Sequence, residues 1–95
     1  MPPNKTPKTN ALLVEIFDDL KELLATIQKI PENLITSRDT LKADLGFTTL
    51  GLRDIADKIN SFPKFAQYNI VITATKVASC TTVSDLASAI YDAIP

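Results

Sequence analysis

From Asn10 the apolar positions recur at spacings of three and four, through Leu13, Ile16, Phe17, Leu20, Leu23, Leu24 and Ile27. That period places them on one face of a helix, with Glu15, Asp18, Asp19, Lys21 and Glu22 on the other side. Pro31 stops the pattern, because it has no N–H to donate and disfavours helical backbone at Ile30 before it. Residues 31–47, PENLITSRDTLKADLGF, then mix turn formers with isolated apolar residues. Leu34, Leu41 and Leu45 are the expected anchors of this long loop. A second periodic stretch runs from about Thr49 to Asn60, with Leu52, Ile55, Ala56 and Ile59 inward and Arg53, Asp54, Asp57 and Lys58 facing water. Pro63 blocks its continuation.

In FAQYNIVITATK the alternation of Ile70, Ile72 and Ala74 matches a strand, but the chain offers no second candidate to pair with it. The expected form is an extended connection through Ile72, followed by one short helical turn around residues 75–79. Thr82-Val-Ser-Asp85 reads as a capping box, with Thr82 as the cap and Asp85 in place of the usual Glu. Val83, Leu86, Ile90 and Ile94 then form the buried stripe of a closing helix. The sum is an all-α fold of three substantial helices and one short one, with the long loop between the first two.

Composition narrows the chemistry. Ninety-five residues make one small domain, which buries only about 60–70% of its unfolded surface. The first ten residues, MPPNKTPKTN, are polar and have no apolar core. They do not read as a signal peptide, and residues 1–9 are expected to be a loose tail ahead of a domain spanning 10–95. No run is long enough to span a membrane, so a soluble, cytoplasmic domain is expected. Ten basic against 11 acidic residues leave −1, without the basic excess of a nucleic-acid binder. There is no His and one Cys, which removes His-activated nucleophiles and makes a zinc or transition-metal site unexpected. Cys80 has only Lys76 nearby to lower its pKa and reads as a small buried hydrophobe.

The stretch Asp44-Leu45-Gly46-Phe47-Thr48-Thr49-Leu50 delivers hydroxyls to the mouth of the second helix, with Gly46 where a positive φ would turn the chain. Taken with Leu41-Lys-Ala-Asp44 before it, Ile72 and Val77 after it, and Thr81-Thr82-Val83-Ser-Asp85-Leu86 near the end, the chain resembles an acyl carrier protein over residues 11–94. The resemblance implies a four-helix bundle with a long loop between helices 1 and 2 and a short third helix. It also implies an Asp-Ser-Leu motif at the second helix, whose serine carries 4′-phosphopantetheine. Here Thr49 stands in the serine's place and Thr48 in the aspartate's. The extra methyl of threonine restricts χ1 and crowds the oxygen, which disturbs attack geometry in a transferase. The same hydroxyls suit a helix cap at Thr48 or Thr49. No cofactor is therefore expected, and 4′-phosphopantetheine only if Thr49 can be modified.

The resemblance further places partner docking at Leu50, Arg53, Asp54 and Asp57, and an acyl pocket at Ile55, Ile59, Ile72 and Val77, residues that would be plain core in any bundle. The charges at Arg53, Asp54, Asp57 and Lys58 cancel, unlike the acidic second helix of typical carriers, so steering towards a basic partner would be weak. Phe65 and Tyr68 suit either a protein contact or a cover for the core. The expected function is a non-catalytic docking protein that binds a biosynthetic enzyme or a regulator. The alternative is a working carrier armed at Thr49 in a fatty-acid, polyketide or related pathway. A helix-turn-helix regulator built on GLRDIADKIN ranks below both, since it needs a compact turn and a basic recognition helix. No constellation for an independent enzyme emerges.

Overall fold

A computed structural model describes residues 8–94. Helix α1 (Asn10–Gln28) opens at Thr9, whose side chain accepts the Leu12 N–H at 3.1 Å. The expected loose tail thus lies outside the described residues except for Lys8 and Thr9, and Thr9 belongs to the helix as its cap. Leu12, Ile16, Leu20, Leu23 and Leu24 are the buried stripe, while Phe17 and Ile27 flank it, partly buried. The helix ends before Pro31. Lys29 takes a left-handed conformation (φ 56°), and the Ile30 N–H returns to the Ala25 carbonyl at 3.1 Å. This closes the last turn in the manner of a Schellman cap, without the usual glycine.

A single 3-10 turn, Glu32–Leu34, follows. Leu34, expected as an anchor, is 63% exposed. Residues three apart in a 3-10 turn eclipse each other, so Leu34 shares the outward direction of Pro31, which is also exposed. Ile35, Leu41, Leu45 and Phe47 are buried instead and hold the loop down. Polar contacts fix it further. The Asp44 carboxylate accepts from the Thr40 N–H at 2.8 Å, and the Thr40 hydroxyl accepts the Asp44 N–H at 3.0 Å.

Helix α2 (Thr49–Ser61) packs against α4 (Ala74–Ala78), and α1 packs against α5 (Val83–Ala93). Between α2 and α4 lies α3 (Pro63–Ala66), which the sequence pattern did not announce. Pro63 both ends α2 and starts α3, where its fixed φ suits the first helical position. Phe65 on α3 is completely buried and meets Phe62 edge-on, with ring centroids 5.2 Å apart. Tyr68 is 9% exposed. Both aromatics therefore cover the core and are not a surface for partners. Lys64 reaches back to Glu22 at 2.8 Å, tying α3 to α1 across an exposed pair. The closing helix α5 carries the expected capping box: Thr82 accepts from the Asp85 N–H at 3.1 Å, and Asp85 accepts from the Thr82 N–H at 3.2 Å.

Among the described residues there is no strand, only an isolated antiparallel bridge between Thr40 and Thr82. Residues 70–73 alternate between buried and exposed as extended backbone does, with Thr73 itself extended, and their order comes from one side chain on α2. Asn60 donates to the Ile72 carbonyl and accepts the Ile72 N–H, both at 3.0 Å, so an amide takes the place of a neighbouring strand. Replacing Asn60 with Ala leaves both backbone groups without a partner. It should cost about 1–3 kcal/mol, read as a lower urea midpoint, while Asn60→Asp, which keeps the acceptor, should lose less.

Candidate functional site at the start of the second helix

The loop reaches α2 through Gly46, whose φ of +79° is strained for any residue with a Cβ. Its neighbour Leu45 offers a carbonyl to the Gln28 side chain at 2.7 Å, which moors this corner to the end of α1. Phe47 is buried, so the backbone emerges at Thr48 with its direction fixed. Thr48 is the N-cap: it is extended (φ −87°, ψ 167°) and its hydroxyl accepts the Gly51 N–H at 2.9 Å. Thr49 is the first helical residue, and it is exposed. Its hydroxyl takes part in no hydrogen bond among the described residues. Of the two hydroxyls, one is bound into the cap and the other faces solvent.

Gly51 belongs to the same corner. A Cβ there would come within 3.2 Å of the Thr48 hydroxyl, the atom that makes the cap. Both glycines of the chain thus sit at this junction, and together with Ile27, Phe47, Asp54 and Lys58 they line a groove of about 290 Å³ between α1 and α2. The concentration of the chain's only glycines in six residues was the sequence signal for this groove; Gln28, Gly51 and Lys58 were not singled out.

The four residues assigned to docking, Leu50, Arg53, Asp54 and Asp57, are all exposed. At spacings of three and four they share one stripe of α2, opposite the buried Leu52, Ile55, Ala56 and Ile59. Leu50 is 70% exposed, a large apolar side chain beside charged neighbours. The four residues assigned to an acyl pocket are brought together as well, but as core: Ile55, Ile59 and Val77 have no exposed surface and Ile72 has 4%. The groove beside Thr48 is lined by Ile55 without Ile59, Ile72 or Val77.

Cys80 lies elsewhere, half-buried after α4, with Sγ 3.4 Å from the Lys76 carbonyl. Burial pushes its thiol up, and nearby Asp85 adds to this; Lys76 and a hydrogen bond to Ser79 oppose it only partly. Among the described residues no group of three His, Cys, Asp or Glu side chains is placed to hold a metal ion. No described helix is long and apolar enough to cross a membrane. No protein-family model matches the chain, and no curated protein matches it.

Thr48→Ala should lower stability by about 1 kcal/mol, whereas Thr48→Asp should stay near the parent, since both Thr and Asp cap helices; urea denaturation reads the difference. For Cys80, a raised pKa means less thiolate at any given pH. Its alkylation by iodoacetamide should be slower at neutral pH than that of an exposed peptide thiol, with the midpoint of the rate profile displaced upward.

Proposed function

We propose that this chain is an acyl-carrier-like bundle that does not carry the prosthetic arm and works as a docking protein, meeting a biosynthetic enzyme or a regulator through the α2 stripe and the loop before it. The observation that carries the reading is the junction itself. A long loop, moored at α1 and α5, presents an exposed hydroxyl at the first residue of α2, followed by an exposed leucine and a charged stripe. A carrier offers its serine at the opening of the second helix, and on this reading Thr49 takes that serine's position. The order of elements supports the same reading: a long helix, a long loop, a helix, a short helix and a closing helix, with α3 as an addition.

A working carrier armed at Thr49 is the second reading, and one feature favours it: the Thr49 oxygen is exposed and not used by the cap. Against it stands the β-branch, which fixes χ1 and crowds the oxygen. A helix-turn-helix regulator has less to recommend it, since the helix after α2 is only four residues long and cannot act as a recognition helix.

Intact-mass measurement after incubation with coenzyme A and a broad-specificity phosphopantetheinyl transferase separates these readings. The parent is expected to stay at its own mass, and Thr49→Ser to gain one phosphopantetheine. Arg53→Glu added to Thr49→Ser should change the rate of that gain, because the transferase docks on the same stripe. Modification of the parent at Thr49 would make the chain a true carrier. No gain by Thr49→Ser, or by Thr48→Asp/Thr49→Ser, would remove the carrier-like reading.

A further inference from the structure

A groove of about 260 Å³ lies against α4 and α5, lined by Val71, Ile72, Lys76, Ala89, Asp92 and Ala93. One of its walls is the extended segment of residues 70–73. Ile70 and Ile72 turn inward, at 5% and 4% exposure, while Val71 between them is 78% exposed. In extended backbone, successive residues aim their N–H and C=O groups at opposite edges. The Ile72 groups are taken by Asn60, so that edge is closed. The Val71 groups point the other way and make no hydrogen bond among the described residues.

Nothing in the local sequence blocks this edge. Between the left-handed Asn69 and the start of α4 at Ala74, residues 70–73, IVIT, contain no charge and no proline. Exposed strand edges are ordinarily protected by Lys, Pro or a bulge, and short uncharged runs rich in β-branched residues are the ones that pair most readily. The edge is therefore fit to be covered.

We propose that it is covered by a second copy of this chain, paired antiparallel across a two-fold axis at Val71. Antiparallel pairing about one residue is self-complementary, since the Val71 N–H of each copy donates to the Val71 carbonyl of the other. The rim of the groove is self-complementary too. Lys76 and Asp92 both stand on it, both are exposed, and neither joins an ion pair among the described residues. A uniformly charged partner would be attracted by one of these groups and repelled by the other, whereas a second copy answers both. A net charge of −1 opposes the approach only slightly. The paired stretch is short, so the dimer belongs at the weak, small end of interfaces.

Sedimentation equilibrium between about 10 μM and 1 mM, the range that reads weak association, tests this. The parent's average mass should rise from 10.4 kDa towards twice that value. Val71→Pro, which removes the N–H from an exposed extended position, should hold the mass at that of the monomer while keeping the parent's circular dichroism and urea midpoint. Lys76→Glu should weaken association, and Lys76→Glu/Asp92→Lys should restore it. In the parent, exchange of the Val71 amide should slow as concentration rises. A parent that stays monomeric throughout, variants that associate as the parent does, or a Val71 amide indifferent to concentration would each overturn the proposal.

Discussion

The seating of Leu41 governs the rest of the structure. Its side chain is fully buried, its N–H donates to the Thr81 carbonyl at 2.9 Å, and its carbonyl accepts the Phe47 N–H at 2.9 Å. One residue thereby joins the long loop to the start of α5 and sets where the loop leaves for α2. The neighbouring bonds from the Val83 N–H to the Asp39 carbonyl and from the Ser84 N–H to the Ser37 carbonyl, each 3.0 Å, extend the same seam. They also pair two N–H groups at the start of α5 that a helix cannot pair internally. That seam, together with the buried anchors and the Thr40–Asp44 bonds, holds the loop in one conformation and gives the hydroxyl at Thr49 its place.

The loop also explains the role of Asp44, which the resemblance to a carrier treats only as part of a lead-in. Asp44 and Thr40 bond to each other's backbone, forming a closed turn whose other face buries Leu41 and Leu45. Polar satisfaction and apolar burial are thus achieved by adjacent residues of one short segment, Thr40 beside Leu41 and Asp44 beside Leu45. Gln28 completes the arrangement from α1. No buried polar side chain is left over among the described residues, as expected of a small domain that cannot support many unpaired groups.

The long helices were legible in the sequence because an apolar period coincided with a stop signal or a cap. Residues 10–28 had a stripe and a proline beyond it, and residues 82–94 had a capping box and a stripe. The second helix had both and ended one residue beyond expectation, at Ser61. Helix α3 was hidden, since four residues show no period and Pro63 signals a stop and a start alike. Leu34 misled because an isolated apolar residue carries no direction until the turn type is known. Phe65 and Tyr68 could be placed either way for the same reason, and the chain folding back onto α1 decided it. At the candidate site, the sequence located the hydroxyls but not their division of labour. Thr48 and Thr49 are equally good caps by type, and the turn at Gly46 determines which of them is extended and which is already helical.

That division is what makes the charge pattern of α2 meaningful. A helix N-terminus favours negative charge, and an aspartate at the cap would supply it. With Thr48 the cap bond is kept and the charge is not. Further along the stripe, Arg53 and Lys58 offset Asp54 and Asp57, so the exposed face of α2 has no net charge. Long-range attraction falls with the net charge of the face, whereas short-range recognition depends on where each charge sits. On the docking reading proposed above, such a surface would select its partner at contact, by the position of single charges around the exposed Leu50, and its association would depend on salt far less than that of a strongly acidic face.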